Sequence, residues 1–113
     1  MPPKYSIIVP TFLHLSDCLI PCCESIKKYT DLSNVEVVIV ANGCENDGTR
    51  GYVESLGEPF RLIWFDEAQG FTKATNAGIR EARGEYVVFL NNDVYFTEQT
   101  KNAFHTIILG EPA

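Results

Sequence analysis

Four short apolar segments alternate with segments of helical periodicity along this chain, and this alternation restricts its fold more than any other feature. The apolar segments are rich in β-branched or aromatic residues and have the length of strands. They cover residues 5–10, 35–41, 60–65 and 85–90. The first, second and fourth are nearly continuous in hydrophobicity, which is typical of strands covered by helices on both faces.

Apolar side chains recur at helical spacing in four further segments, at residues 16–29, 47–56, 70–83 and 98–109. Ser16 or Asp17 is the expected N-cap of the first helix, with Pro21 in its first turn. The residues of the third helix that we expect to face the core are Phe71, Ala74, Gly78 and Ala82.

The resulting order of elements is βαβαβαβ followed by a helix, with short connections. Such an order predicts a mostly parallel sheet with right-handed crossovers. We therefore expect an α/β protein of the Rossmann-like type, with about four strands and with helices on both faces of the sheet. At 113 residues the chain has the length of one domain.

The net charge of -6, from 15 acidic and 9 basic residues, argues against a nucleic-acid partner because the basic residues are scattered. No apolar stretch approaches the roughly 20 residues of a transmembrane helix, and the N-terminus does not have the pattern of a signal peptide. Cys18, Cys22, Cys23 and Cys44 do not have the spacing of a zinc site, so we expect reduced packing residues. These features predict a soluble, cytoplasmic protein.

Polar or turn-forming residues follow directly after each predicted strand, at positions 10–12, 42–47, 66–67 and 91–93. The carboxyl ends of parallel strands meet at one edge of a sheet, and ligands bind there because loops and helix N-termini converge. Each cluster could be a simple turn, but all four fall on the same rim. The rim is therefore the predicted binding site.

Two common phosphate-binding motifs are not found in this sequence. The segment GCENDGTR has the G-x-x-x-x-G spacing of a P-loop, but Thr49 and Arg50 stand where that motif needs Lys and then Ser or Thr. No G-x-G-x-x-G sequence opens a helix. What remains is the carboxylate of Asp93, with the amide of Asn91 nearby. Oxygen ligands suit Mg²⁺ or Mn²⁺, and such a cation would neutralise phosphate in place of the scarce basic residues.

The order of these segments resembles the N-terminal, nucleotide-sugar-binding half of family 2 glycosyltransferases, which have the GT-A fold. The matching segments are YSIIVPTF at the first strand, VEVVIVANGCENDGT at the second strand and its turn, and GFTKATNAGIREARGEYVVFLNND from the third helix onward. The L-N-N-D ending is similar to that of rhamnosyltransferase-like members. Two positions differ from the family pattern, since Ala41 and Asn91 stand where aspartates are frequent.

The resemblance implies roles for individual residues. Those implied to bind the nucleotide sugar are Pro10, Thr11, Phe12, Asn42, Asn76, Gly78 and Asn92. The first four would border the nucleotide base, and the next two belong to the helix that passes the nucleoside. Asp93, together with Asn91, would hold the Mn²⁺ or Mg²⁺ ion that bridges the diphosphate.

The resemblance also implies a domain that binds a UDP-, dTDP- or GDP-linked sugar with a divalent metal, for transfer of the sugar to an acceptor hydroxyl. In the family, the acceptor site and the catalytic carboxylate lie in the C-terminal half, whereas this chain ends at Ala113. We therefore expect residues 1–113 to be a single donor-binding domain without the acceptor half, and we identify no catalytic residue. The alternative is a non-catalytic nucleotide-sugar-binding or assembly module. Without flanking strands, the segment at 85–90 would leave an apolar sheet edge, which predicts a homo-oligomer.

Overall fold

The computed structural model of the chain describes residues 3–12, 15–30, 32–44 and 47–90. The strands in this part of the chain are β1 (Tyr5–Thr11), β2 (Val35–Asn42), β3 (Phe60–Phe65) and β4 (Tyr86–Phe89). The α-helices are α1 (Ile20–Tyr29), α2 (Thr49–Leu56) and α3 (Phe71–Glu81). Every predicted strand is confirmed to within one residue at each end, and the helix predicted at 98–109 lies outside the described residues.

The strands form one parallel sheet in the order β3-β2-β1-β4. In the shared register, Tyr5 of β1 lies opposite Val35 of β2 and Tyr86 of β4. The chain builds outward from β1 through β2 to β3, and α3 then carries it back to the other side of β1. The predicted α/β fold with a parallel sheet is confirmed.

Alternation of side chains along the strands divides the core into two layers. On one face of the sheet, Ile7 belongs to a buried cluster with Ile26 of α1 and Val53 of α2. On the other face, Ile8 belongs to a cluster with Ala74 of α3. Helices therefore cover both faces, which explains why β1 and β2 are apolar at nearly every position.

The start of the first helix differs from the prediction. A π-helical turn at Leu15–Leu19 precedes α1, and Leu19 rather than Ser16 or Asp17 holds the N-cap position. Pro21 has no backbone N–H and cannot donate to the carbonyl four residues earlier, so a continuous α-helix through this point is disfavoured. The α-helix begins at Ile20, so Pro21 lies in its first turn as predicted, where a missing N–H is tolerated.

Phe71 and β4 also differ from the expected burial. Phe71 is 64% exposed, although Ala74 and Gly78 of the same predicted face are buried. As the first residue of α3, Phe71 follows Gly70, which lies at the ends of the strands, so the sheet does not extend beneath it. Tyr86 and Phe89 of β4 are 41% and 51% exposed, so the described residues do not cover both faces of β4 as its apolar sequence indicated.

A buried polar network joins the strands at their amino ends, opposite the predicted rim. Ser6 Oγ donates to Glu36 Oε2 at 2.6 Å, and Arg61 Nε donates to Glu36 Oε1 at 3.0 Å. The backbone N–H of Arg83 also donates to Glu36 Oε2, at 2.6 Å. The backbone N–H of Gly84 donates to Ser6 Oγ at 2.8 Å. One carboxylate therefore links β1, β2, β3 and the connection into β4.

The pKa of Glu36 is lower than its ordinary value. Burial would raise this pKa, because it disfavours the charged form. The hydrogen bonds from Ser6 and from the Arg83 N–H, together with the positive charge of Arg61, more than offset that effect. The carboxylate is thus held in its charged form at neutral pH.

The cysteines behave as the sequence predicted. No disulfide joins the four cysteines, all of which lie within the described residues, and Cys22, Cys23 and Cys44 are buried. Burial raises the pKa of Cys23 to about 12, so its thiol is protonated at neutral pH and serves in packing. Within the described ranges, none of the helices has the length and apolar character needed to span a bilayer.

Candidate functional site

The candidate site lies at the carboxyl ends of the strands, where β1, β2 and β3 finish at the same level. Thr11, the last residue of β1, pairs with Ala41, and Asn42 at the end of β2 pairs with Phe65 at the end of β3. Thr11 is buried, and Phe12 beyond it is 49% exposed. The end of β1 therefore presents an exposed aromatic side chain at the rim.

Asn42 holds the connection between β3 and α3. Its Oδ1 accepts a hydrogen bond from the backbone N–H of Gln69 at 2.7 Å, and its Nδ2 donates to the carbonyl of Gly70 at 3.5 Å. Gln69 Nε2 also donates to the carbonyl of Glu67 at 3.0 Å, within the same connection. The amide of Asn42 is thus committed to the backbone just before α3.

Gly43 brings the same two segments into direct contact. Its φ of 84° lies in the left-handed region that favours glycine, and its N–H donates to the carbonyl of Phe65 at 3.2 Å. A Cβ at this position would lie 2.6 Å from the backbone nitrogen of Ala68. Because real Cβ atoms essentially never come this close, only glycine fits here without movement of the loop.

The turn between β2 and α2 supports α2 and the end of β1. Asp47 Oδ1 accepts a hydrogen bond from the N–H of Thr49 at 3.0 Å, at the start of α2. Cys44 Sγ donates to the carbonyl of Thr11 at 3.5 Å. These contacts explain the Asp-Gly-Thr part of the turn by local structure, since a short acidic side chain accepts a hydrogen bond from the backbone two residues later.

The two predicted site residues of α3 lie in different surroundings. Asn76 is exposed. Gly78 is buried against the sheet, where an added Cβ would meet Ile8 Cγ2 at 2.4 Å and Val40 Cγ2 at 3.2 Å. The structure thus gives Gly78 a packing role between α3 and the sheet, and its part in substrate binding stays a prediction.

The predicted metal ligands Asn91 and Asp93, and the predicted substrate residue Asn92, lie outside the described residues. Up to Leu90 the chain still follows β1, since the Leu90 N–H donates to the carbonyl of Ile8 at 3.0 Å. β4 therefore runs parallel to β1, toward the same rim. In the part of the chain that the structure describes, no group of three or more His, Cys, Asp or Glu side chains could hold a metal.

Sequence reasoning did not identify the role of residues 66–70. Asp66 accepts a hydrogen bond from Trp64 Nε1 at 3.0 Å, and the next residues fold back against Asn42 and Gly43. The φ of 84° at Gly70 is the one feature that sequence could have indicated, because glycine often precedes a helix at such a turn. The partners of the loop could not be predicted, since Gln69 and Asn42 are 27 residues apart.

The chain that carries this rim belongs to a known family of transferases. Residues 6–104 match the model of glycosyl transferase family 2, so the chain is a member of that family. It is 33% identical over 101 residues to the uncharacterized glycosyltransferase EpsJ of Bacillus subtilis, a match that covers 84% of this chain and 27% of EpsJ. It is 32% identical over 112 residues to a PGL/p-HBAD biosynthesis glycosyltransferase of Mycobacterium tuberculosis, covering 96% and 43% of the two chains.

Solved structures show the same fold. TarS 1–349 of S. aureus, in complex with UDP-GlcNAc, superposes with a TM-score of 0.77 and 28% identity, covering 92% of this chain and 31% of TarS 1–349. The mannosyltransferase PcManGT from Pyrobaculum calidifontis, in complex with GDP-Man and Mn²⁺, gives a TM-score of 0.76 at 24% identity, covering 99% of this chain and 34% of that one. The GT-A fold expected from the sequence is confirmed. The chain spans 27% of the length of EpsJ and 43% of the length of the mycobacterial relative.

Proposed function

We propose that this chain binds a nucleotide-diphosphate sugar at the rim, as the donor-binding part of a glycosyltransferase that transfers the sugar to an acceptor hydroxyl. The observation that carries the proposal is the rim itself. Asn42 and Gly43 join the end of β2 to the loop before α3, and Cys44 bonds to the end of β1. The fold is shared with TarS, which was crystallised with UDP-GlcNAc. Such preorganisation lowers the entropic cost of binding a ligand.

Each predicted residue has a proposed task at this rim. Pro10, Thr11 and Phe12 form the side of the site at the end of β1, and the exposed ring of Phe12 offers an apolar face to a base. Asn42 forms the neighbouring side at the end of β2. The residues proposed to contact the nucleoside or the sugar from α3 onward are Asn76, Gly78 and Asn92.

A divalent cation, Mn²⁺ or Mg²⁺, is proposed to accompany the donor, with Asp93 and Asn91 as its protein ligands. A carboxylate and an amide oxygen are suitable donors for either ion. When bound, the cation supplies positive charge that neutralises the diphosphate and favours its departure. The presence of GDP-Man and Mn²⁺ together in PcManGT supports this combination.

Donor class, subtype and location are also proposals. UDP-, dTDP- and GDP-linked sugars are the candidate donors, and the neighbours that hold UDP-GlcNAc and GDP-Man support that range. The L-N-N-D ending supports a rhamnosyltransferase-like subtype. We place the chain in the cytoplasm, and we propose that the acceptor site and the general base lie outside these 113 residues.

Replacement of Asp93 with Ala tests the metal-dependent site. Calorimetric titrations with UDP and GDP, with and without Mn²⁺, should show that Asp93→Ala reduces affinity to its metal-free level, because the charged ligand is lost. Glu54→Ala is the matched control, since it removes an exposed carboxylate on α2, away from the predicted site residues. Unchanged Mn²⁺-dependent affinity in Asp93→Ala would contradict the metal assignment. Metal-dependent hydrolysis of a donor sugar by the unchanged chain would exclude the non-catalytic module.

Self-association through β4 is the second proposal that can be tested directly. Val87 of β4 is 40% exposed, and β1 is the one partner strand of β4 within the described sheet. Val87→Lys should lower the fraction of dimer or higher oligomer in sedimentation experiments, because a charged side chain at an edge strand opposes pairing. Ile79→Lys on α3 is the control, since Ile79 is exposed to the same degree, 41%. A monomeric mass for the unchanged chain would contradict this proposal.

A further inference from the structure

The side chain of Asn42 forms its hydrogen bonds with the protein backbone. The N–H of Gln69 needs an acceptor and the carbonyl of Gly70 needs a donor, and the two ends of the Asn42 amide meet these needs separately. A flipped amide would place a donor against a donor and an acceptor against an acceptor. The orientation of the side chain is therefore set by the loop.

The bond partners lie at the exact point where α3 begins. The carbonyl of Gly70 also accepts the bond from the N–H of Ala74, at 3.1 Å, which is the first turn of α3. Asn42 thus contacts both the last residue of the loop and the residue before it. Through these bonds the end of β2 fixes the point at which the helix starts.

Gly43 supplies a second, independent contact between the same segments. Its backbone lies so close to Ala68 that no side chain fits between them. The loop from Asp66 to Gly70 is therefore held against β2 by the hydrogen bonds of the Asn42 amide. Gly43 permits this close approach because it has no side chain. The contact at Asn42 is a pair of side-chain hydrogen bonds and the contact at Gly43 is a close backbone approach, so each can be changed by its own substitution.

We infer that Asn42 is a positioning residue that shapes the nucleotide site by holding the loop at 66–70, and not by recognising the base with its amide. This inference rests on the proposed function, because it assigns the loop as a side of the nucleotide site. Loss of the tether releases a loop that any nucleotide would meet, so affinity falls equally for different bases. An amide that read the base would instead distinguish one base from another.

The test combines amide hydrogen exchange with nucleotide binding in the full chain. Asn42→Ala should accelerate hydrogen exchange of the Gln69 amide. It should also weaken the binding of UDP and of GDP by the same factor, about tenfold for the loss of one good hydrogen bond. Asn42→Asp keeps an oxygen that accepts from Gln69 but sets its second oxygen against the Gly70 carbonyl, so exchange of the Gln69 amide should be slower than in Asn42→Ala and faster than in the unchanged chain. Asn34→Ala, at the opposite end of β2, is the control for loss of an exposed asparagine.

Gly43→Ala displaces the loop while residue 42 remains asparagine, and it should weaken the binding of UDP and of GDP by the same factor. The fluorescence of Trp64, the one tryptophan of the sequence, reports whether each variant is folded. Unchanged Gln69 exchange in Asn42→Ala, or unequal losses for UDP and GDP, would overturn the inference. Faster exchange with unchanged affinity would overturn it too, and would leave the proposed function intact. If the unchanged chain binds neither nucleotide, the proposed function fails, while Gln69 exchange still decides whether Asn42 holds the loop.

Discussion

Replacing Glu36 with Gln should lower the free energy of unfolding by about 3 kcal/mol at neutral pH, near the lower end of the range for breaking a buried ion pair. Glu36 is 5% exposed and accepts hydrogen bonds from Ser6, Arg61 and the Arg83 N–H. A glutamine can place its oxygen toward some of these donors, but its NH₂ group must then face another donor. The guanidinium of Arg61 is partly exposed, which keeps the loss at the lower end.

The effect of this substitution should depend on pH in a defined direction. The pKa of Glu36 is lower in the folded chain than in the unfolded one, so its contribution to stability is fully present above the unfolded pKa, near 4.5. That contribution is lost as the pH falls through the folded pKa. The difference in melting temperature between the unchanged chain and Glu36→Gln should therefore be large at pH 7 and should shrink below the unfolded pKa.

Thermal unfolding followed by circular dichroism between pH 7 and pH 3 measures this difference. Glu54→Gln is the matched control, because Glu54 lies on the exposed side of α2. It should change the melting temperature little at any pH, as expected for a surface position. A constant difference for Glu36→Gln across the whole range would mean that the carboxylate charge does not stabilise the sheet.

Replacing Gly78 with Ala should destabilise the protein by about 1–3 kcal/mol through overpacking. The new Cβ would lie 2.4 Å from Ile8 Cγ2, far inside contact distance. Ile8 is fully buried and its β-branched side chain has few alternative rotamers, so relief requires movement of α3 away from the sheet. This cost should exceed the gain of up to about 1 kcal/mol that alanine brings to a helix.

Gly51→Ala provides a control with the same chemical change in another helix. Gly51 lies in α2 and an added Cβ would meet nothing within 4 Å. This variant should be more stable than the unchanged chain, by about 0.5–1 kcal/mol, because alanine loses less entropy on folding. Chemical denaturation of both variants measures the two effects, and equal changes in both would contradict the close contact at Gly78.

Much of the scaffold could be predicted because strands and their direction depend on short-range pattern. The continuous apolar runs at β1 and β2 predicted burial on both faces, and the sheet confirms it. The rule that parallel strands end at one edge placed Thr11 and Asn42 at the same rim, as observed. The N-cap of the first helix and the burial of Phe71 were predicted less well, because a π-helical turn and the position of a helix end depend on the surroundings of each residue.

The sequence by itself determined the α/β class, the strand positions, the rim and the family resemblance, because each of these depends on local periodicity or on motifs of neighbouring residues. Only the tertiary structure decided that Glu36 joins the strands and that Asn42 holds the loop before α3. Their partners lie 25 to 47 residues away for Glu36 and 27 to 28 residues away for Asn42. Hydrogen bonds between such distant residues form when strands and helices pack, so no pattern within a short segment predicts them.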